Sequence, residues 1–443
     1  TSLSSEQCKV EEELRVRIFI RLRAGQVVSG RPMHFLFGAA VSRQPGQQSN
    51  MRLIAAQPVP PLPGDAPKTI DEWTEAGVCR ATEAGIDADL LPWESYHGRI
   101  SPTTVPDMAS RAAWNIYCNR VTIVNNSLWI TFAHQDQDHE QVSNGQKWYT
   151  KMLMETLTSV LAKFQIPDVD ICVGEEGPSI LRASNLPRLA CSTSKAHMDI
   201  LMPDLFFRYW TATEAEIPHN WYTPPINWEG HVFSEHWHRR VRKVYWRGTV
   251  GDWTMNARGL LCRIALTRQD LFDVLPVRVV GPALEQKFEG MEHFAPAIER
   301  RGAGTHVDSK AILGYRYVIN THGNGNEWNN RLRSLLSTGA VVFKQEATLF
   351  EFFERDLVPY EHYIPVAADF SDLIEKVEWA HANDDKARKI AENGVKFVRE
   401  HLTWTRVQCY WARLLTRYSK LHAIQPEVPS EAFRVFDLGL DLP

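Results

Sequence analysis

YVINTHGNGNEWNNRLRSLLSTGAVVF, residues 317–343, decides the fold class. Tyr317-Val318-Ile319-Asn320 is a short apolar run with β-branched side chains, which predicts a buried strand. A polar loop containing Gly323 and Gly325 follows. Arg331 to Ser337 then spaces its leucines as a helix does, Gly339 stops it, and Ala340-Val341-Val342-Phe343 predicts another strand. A helix between two strands in so short a span sets those strands parallel, with the helix crossing over one face.

The same alternation recurs on both sides of this unit. Lys243-Val244-Tyr245-Trp246 predicts a strand and Arg258 to Arg268 a helix. Earlier, Asp107 to Tyr117 predicts a helix, Arg120 to Val124 a strand turning at Asn125-Asn126, Trp148 to Phe164 a helix, and Asp168 to Val173 a buried strand. Later come three helices: one capped by Ser371, one from Asp384 to Arg399 interrupted near Asn393-Gly394, and one from Thr405 to Ser419 with an apolar stripe suited to core packing. The expected class is α/β, with parallel sheets covered on both faces. Residues 1–75 differ. Arg15 to Arg23 alternates charged and apolar residues as a half-exposed strand does, and the prolines from Pro58 to Pro67 mark a linker.

Composition bounds the function. At 443 residues the chain is about three times an ordinary domain of ~150, so two large domains with extras are expected. Hydrophobic residues at 44% and charged residues at 23% exclude wholesale disorder, collagen and coiled coil. Forty-nine basic against 53 acidic residues, a net charge of −4, leave no polybasic footprint for nucleic acid. No apolar run reaches the ~18 residues of a membrane span. The numbering begins at Thr1 rather than methionine, so membrane contact is expected only through an amino-terminal anchor that this chain lacks. Seven cysteines show no CxxC or zinc-finger spacing. One glycosylation sequon, Asn125-Asn126-Ser127, is compatible with a secretory location.

Three motifs could carry chemistry. Trp246-Arg247-Gly248-Thr249 ends a strand and is followed by Arg258: a glycine for close backbone approach, a hydroxyl, and two planar guanidinium forks suited to phosphate. The loop from Thr321 to Arg331 sits between strand and helix, where backbone N–H groups and a helix amino terminus favour a diphosphate; Asn329, Asn330 and Arg331 strengthen that use. It matches neither the P-loop nor the dinucleotide fingerprint. Glu175-Glu176 follows a predicted strand, where a carboxylate can serve as general base. Taken singly, each also fits an ordinary turn, surface loop or solvated pair. Asp136-Gln137-Asp138 and Asp168-Val169-Asp170 have metal-binding form but lie in a polar stretch and at a strand start, so no metal is expected.

In combination these residues resemble glycosyltransferase family 90, the Rumi-type protein O-glucosyltransferases and fungal capsule-associated β-xylosyltransferases. Tyr245 to Thr249 looks like that family's aromatic-Arg-Gly-Ser/Thr strand end. His322 to Gly325 with Trp328 to Leu332 looks like the fungal Asp-Gly-Asn-Gly-Trp-Ser-Gly-Arg-Phe loop with two residues inserted. Leu336 to Lys344, Glu361 to Val366 and Gln408 to Trp411 complete a series spanning roughly residues 85–420. The resemblance implies a GT-B fold: two Rossmann-like domains facing a cleft, with a small amino-terminal extension (1–75), an acceptor-side domain (76–235), a nucleotide-sugar domain (236–400) and a helical segment (401–443) packing back on the first domain. It implies an inverting transfer of xylose or glucose from a UDP-sugar to a protein or glycan hydroxyl, giving a β linkage without a cofactor or metal. Thr249 and Arg258 would contact the donor phosphates, Phe272 and Asp273 would border the uridine, and Gly325, Asn329, Asn330 and Arg331 would close over the diphosphate. Glu175 falls where the family places an aspartate base, and His322 replaces an acidic residue. Cys79 and Cys409 fall near positions that Rumi-type proteins join by a disulfide, which implies the lumen of the endoplasmic reticulum or Golgi. The aspartate-to-glutamate change motivates an alternative, a binding module of the same fold without catalysis. A further alternative, a metal-dependent GT-A transferase, would rest on Asp136 and Asp138.

Overall fold

The computed structural model describes residues 68–80, 83–95, 100, 104–105, 118–131, 144–174, 187–207, 237–252, 256–280, 309–323 and 331–435. The extension over residues 1–67, the helix expected at 107–117, and Glu175, Gly325, Asn329 and Asn330 lie outside this set. Residues 51–443 form one compact unit.

The strands are β1 (Cys118–Val124), β2 (Ser127–Thr131), β3 (Val169–Gly174), β4 (Arg188–Ala190), β5 (Ile200–Leu201) and β6 (Val241–Val250). They continue as β7 (Phe272–Val279), β8 (Tyr315–Asn320), β9 (Val341–Gln345), β10 (Ile364–Val366) and β11 (Phe433–Arg434). The helices are α1 (Ile70–Glu75), α2 (Ala84–Ser95), α3 (Asn144–Leu161) and α4 (Ala257–Thr267). The remainder are α5 (Leu332–Ser337), α6 (Leu373–Ala382), α7 (Asp384–His401) and α8 (Trp404–Ser419).

The first sheet has the order β11-β2-β1-β3-β4-β5 and is mixed, which corrects the expectation of parallel sheets throughout. Asn125 and Asn126 adopt φ of 50° and 55°, so the chain reverses in two residues and Val124 pairs with Ser127. β1 is antiparallel to β3 as well, and only β3, β4 and β5 run parallel. The second sheet, β10-β9-β8-β6-β7, is parallel throughout.

Period-two alternation builds two cores on opposite faces of this second sheet. Tyr245, Val318 and Val342 enter a core that also contains the first sheet, α5 and α8. Val244, Trp246, Tyr317, Ile319, Val341 and Phe343 enter the other, covered by α4 and α6. α8 returns to the first sheet: Tyr410 Oη donates to the Leu201 carbonyl (3.2 Å), Tyr418 Oη to Pro187 (2.9 Å), and Gln408 Nε2 to Ser159 (3.1 Å). Cys79 and Cys409 are joined by a disulfide with Cα atoms 5.6 Å apart. Cys172 is disulfide-bonded too, to a cysteine whose side chain lies outside the described set.

Two helix expectations are corrected. Asp372, not Ser371, precedes α6, and its Oδ1 accepts the Ala367 N–H (2.9 Å). α7 runs through Asn393-Gly394 without a break, because Gly394 gives the close approach the packing needs: a Cβ there would meet the His362 carbonyl at 3.2 Å and Leu336 at 3.3 Å.

Candidate active site

Strand order locates the site. From β6 the chain crosses to β7 on one side, whereas β8 lies on the other and leads away to β9 and β10. Right-handed crossovers in opposite directions place α4 and α5 on opposite faces. The loops leaving β6 and β8 therefore part, and the crevice outside their carboxyl ends is where such sheets bind ligands.

Arg258 stands at this crevice in the first turn of α4. Asn256 caps that helix, its Oδ1 accepting the Arg258 N–H (2.8 Å). The Arg258 side chain is largely buried. Its Nε donates to the His322 carbonyl (3.0 Å) and its Nη1 to the Thr249 carbonyl (3.0 Å), tying the end of β6 to the loop after β8. Arg331, just before α5, donates from Nη1 to the Arg247 carbonyl (3.0 Å). Carbonyls two residues apart on a strand point the same way and lie ~7 Å apart, so both guanidinium groups are drawn to one edge of β6. Gln345, at the end of β9, completes the stitching. Its Oε1 accepts the His322 N–H (2.9 Å) and its Nε2 donates to Ala368 (2.6 Å), while His322 Nε2 lies 3.0 Å from the Glu346 carbonyl.

Gly248 corrects one sequence reading. The space beside it belongs to its own strand, because a Cβ would lie 2.5 Å from the Trp246 indole. The glycine thus serves packing against Trp246, which is 1% exposed. The β6–β7 register shifts at this point, with Gly248 opposite Pro276 and Thr249 opposite Arg278, so that the extra residue, Val277, lies on β7.

Phe272 and Asp273 are not with Thr249, Arg258 and Arg331. They begin β7, where Asp273 pairs with Tyr245, four residues or ~13 Å along β6 from Thr249. The Phe272 ring is buried in the second core. The Asp273 carboxylate accepts from Arg247 Nη2 (2.8 Å) and from the Tyr315 hydroxyl. Burial and that bond push the Tyr315 phenol up to about 12, so it remains a donor at neutral pH. Arg247 also lies over the Tyr245 ring, 4.4 Å from its centroid.

The first sheet presents its own carboxyl edge. β3 ends at Gly174, immediately before Glu175. A Cβ on Gly174 would overlap the Arg188 guanidinium, which is buried and paired with Asp199 (3.2 Å). Beyond β4, Thr193 exchanges two backbone hydrogen bonds with Phe350, beyond β9 (3.1 and 3.0 Å). Beyond β5, Asp204 pairs with Arg333 of α5 (3.0 Å), and both are buried. The carboxyl ends of the parallel strands of both sheets are therefore in contact.

Sequence reasoning missed Asn256, Gln345, Arg188 and the Asp204–Arg333 pair. Asn256 had a signal, an asparagine directly before a helical run. Residues 129 positions apart, as Asp204 and Arg333 are, had none. Both suspected Asp-x-Asp carboxylates that are described are engaged. Asp170 accepts from Arg120 Nη2 (2.8 Å) and Thr122 Oγ1 (2.9 Å), and Asp168 from the Asn125 N–H (2.8 Å) and Gln425 Nε2 (2.6 Å).

The profile of Glycosyl transferase family 90 matches residues 74–440. Protein O-glucosyltransferase 2 of Danio rerio is 27% identical over 362 residues, which cover 80% of this chain and 65% of the relative. Protein O-glucosyltransferase 1 of Homo sapiens is 41% identical over 106 residues, 24% of this chain and 26% of the relative. The chain thus spans less than two thirds of the curated relatives it matches. Among solved structures, a glycosyltransferase from Rickettsia africae is 9% identical, with a TM-score of 0.29 over 64% of this chain and 84% of the other. Overlap that low carries no argument.

Proposed function

The chain belongs to glycosyltransferase family 90, and on that premise we propose that it transfers glucose or xylose from a UDP-sugar to a protein or glycan hydroxyl. The reaction inverts an α-linked donor to a β product, in a cleft between two Rossmann-like halves as in GT-B enzymes. The single observation that carries this reading is the arginine pair. Arg258 and Arg331 bond to alternate carbonyls at the end of β6, at the switch point of a parallel sheet whose carboxyl edge meets that of β3, β4 and β5.

Glu175 takes the proton from the acceptor hydroxyl as its oxygen bonds to the anomeric carbon. The bond from that carbon to the UDP oxygen breaks, and Arg258 and Arg331 take up the developing negative charge. The amino terminus of α4 adds positive potential, so the reading needs no divalent ion. Thr249, Gly325, Asn329 and Asn330 line the diphosphate, whereas Phe272 and Asp273, at the amino edge of the sheet, take no part. The protein-glucosylating names of the relatives favour glucose as the transferred sugar and a protein acceptor, and the Cys79–Cys409 disulfide favours the lumen of the secretory pathway.

The test is UDP release with UDP-glucose and UDP-xylose, each with and without acceptor, in the presence of chelator. Glu175→Gln should lower turnover by at least ~100-fold with donor affinity kept. Arg331→Ala should weaken UDP binding and turnover together. Retained turnover in both variants would refute these residue roles; no UDP release by the parent with any donor and acceptor would leave the non-catalytic module; loss of activity to chelator alone would point to metal-dependent chemistry.

A further inference from the structure

The sequon at Asn125-Asn126-Ser127 is a motif that the transfer chemistry leaves unused. Its two asparagines form the tip of the β1–β2 hairpin, yet they do different work. Asn126 is structural: its Nδ2 donates to the Leu161 carbonyl (3.1 Å) and its Oδ1 accepts the Ile166 N–H (3.0 Å), clamping the tip to the end of α3. Asn125 is exposed and holds its place through the backbone alone, its N–H donating to Asp168 Oδ1 (2.8 Å). Its side-chain amide has no hydrogen-bond partner among the described residues. The acceptor asparagine of the sequon is thus the one whose side chain the described residues leave unused. The disulfides at Cys79–Cys409 and at Cys172 belong to an oxidising compartment, the kind in which asparagine is glycosylated.

We propose that Asn125 carries an N-linked oligosaccharide. Its Nδ2 bonds to the anomeric carbon of a polyprenyl-diphosphate-linked oligosaccharide, the bond from that carbon to the diphosphate oxygen breaks, Nδ2 gives up one proton, and the lipid diphosphate leaves. The register keeps the glycan away from catalysis. Ile123 faces Val169 at one end of β3, while Cys118 faces Gly174 at the other, so the hairpin tip lies ~17 Å or more from the edge that precedes Glu175.

The inference rests on the secretory-lumen reading, and the experiment separates the two. Protein recovered from its own cells under non-reducing conditions is digested, with and without peptide-N-glycosidase, and analysed by mass. The expected result is a glycopeptide at Asn125, converted to aspartate by the glycosidase, alongside the bridged Cys79–Cys409 peptide. Asn125→Gln and Ser127→Ala should each remove the glycoform, and Ser127→Thr should keep it. UDP release by Asn125→Gln should stay within about twofold of the parent. An unmodified Asn125 peptide beside an intact bridge overturns the site and leaves the compartment standing. Free thiols at Cys79 and Cys409 overturn the compartment and the site with it.

Discussion

At the scale of single residues, the two glycines at strand ends show what a sequence conceals. Gly248 reads as room for a ligand, and the structure fills that room with the ring of Trp246 two positions earlier. Arg258 and Arg331 stand out in the sequence as planar forks that follow a strand end and a glycine-rich loop; their carbonyl partners, His322, Thr249 and Arg247, do not, since backbone acceptors carry no side-chain signature. Gly174 had no signal at all. Its need for a bare Cα comes from Arg188, which reaches it only after the chain has left β3, formed β4 and paired with Asp199. An arginine tip normally moves aside at little cost, but this one is 2% exposed and held by a carboxylate with no exposed side-chain surface. Gly174→Ala should therefore push Arg188 out of its pair and cost about 3–5 kcal/mol, the usual loss on breaking a buried ion pair. Urea unfolding measures it; a change within ~0.5 kcal/mol, as for a neutral surface substitution, would show that Arg188 relocates freely.

At the scale of elements, the parallel unit from β8 to β9 was legible because a strand pattern, a glycine-rich loop and a helical pattern agree in sequence. β4, β5 and β11 are two or three residues long and too short to show a period. β7 was hidden by Pro276, which β7 tolerates as an edge strand. The seam between α8 and β3 adds a pH dependence. His422 Nε2 accepts the Asp170 N–H (3.2 Å), a bond that a protonated ring cannot accept, and burial holds this imidazole below its usual value. Burial lowers His362 and His381 likewise. When the folded value lies below the unfolded value of ~6.5, the unfolded chain binds more protons as the solution acidifies, so stability present above that pH is lost below it. Burial raises Glu83 and Asp89 instead, so their protonation favours the fold, at the lower pH where carboxylates titrate. The melting temperature should fall between about pH 7 and about pH 5.5, and His422→Gln, which keeps an acceptor and cannot titrate, should flatten that fall. An unchanged slope in the variant would remove His422 from the explanation.

At the scale of the whole molecule, the structure joins what the sequence separates most widely. Thr193 with Phe350 and Asp204 with Arg333 fasten the carboxyl edges of the two sheets, and one core contains residues of both. Any closure over a donor must pivot on these contacts, because breaking the buried pair would strand a charge. The Cys79–Cys409 bridge acts on the opposite problem, the return of α8 across most of the chain. It closes a separation of 330 residues, for which chain entropy sets a ceiling of about 6 kcal/mol, against roughly 2–5 kcal/mol measured for native bridges. Hydrogen bonds from Arg406 Nη1 to the Val78 carbonyl and from Arg413 Nη2 to Thr74 Oγ1, both 2.9 Å, hold the same joint without the sulfurs. A Cys79→Ser, Cys409→Ser double variant should therefore still fold and release UDP at low temperature. Its urea midpoint should fall by the equivalent of about 2–5 kcal/mol, because the cost lies in the greater freedom of the unfolded chain. An unaltered midpoint would mean that the arginine contacts, rather than the bridge, set the stability of the joint.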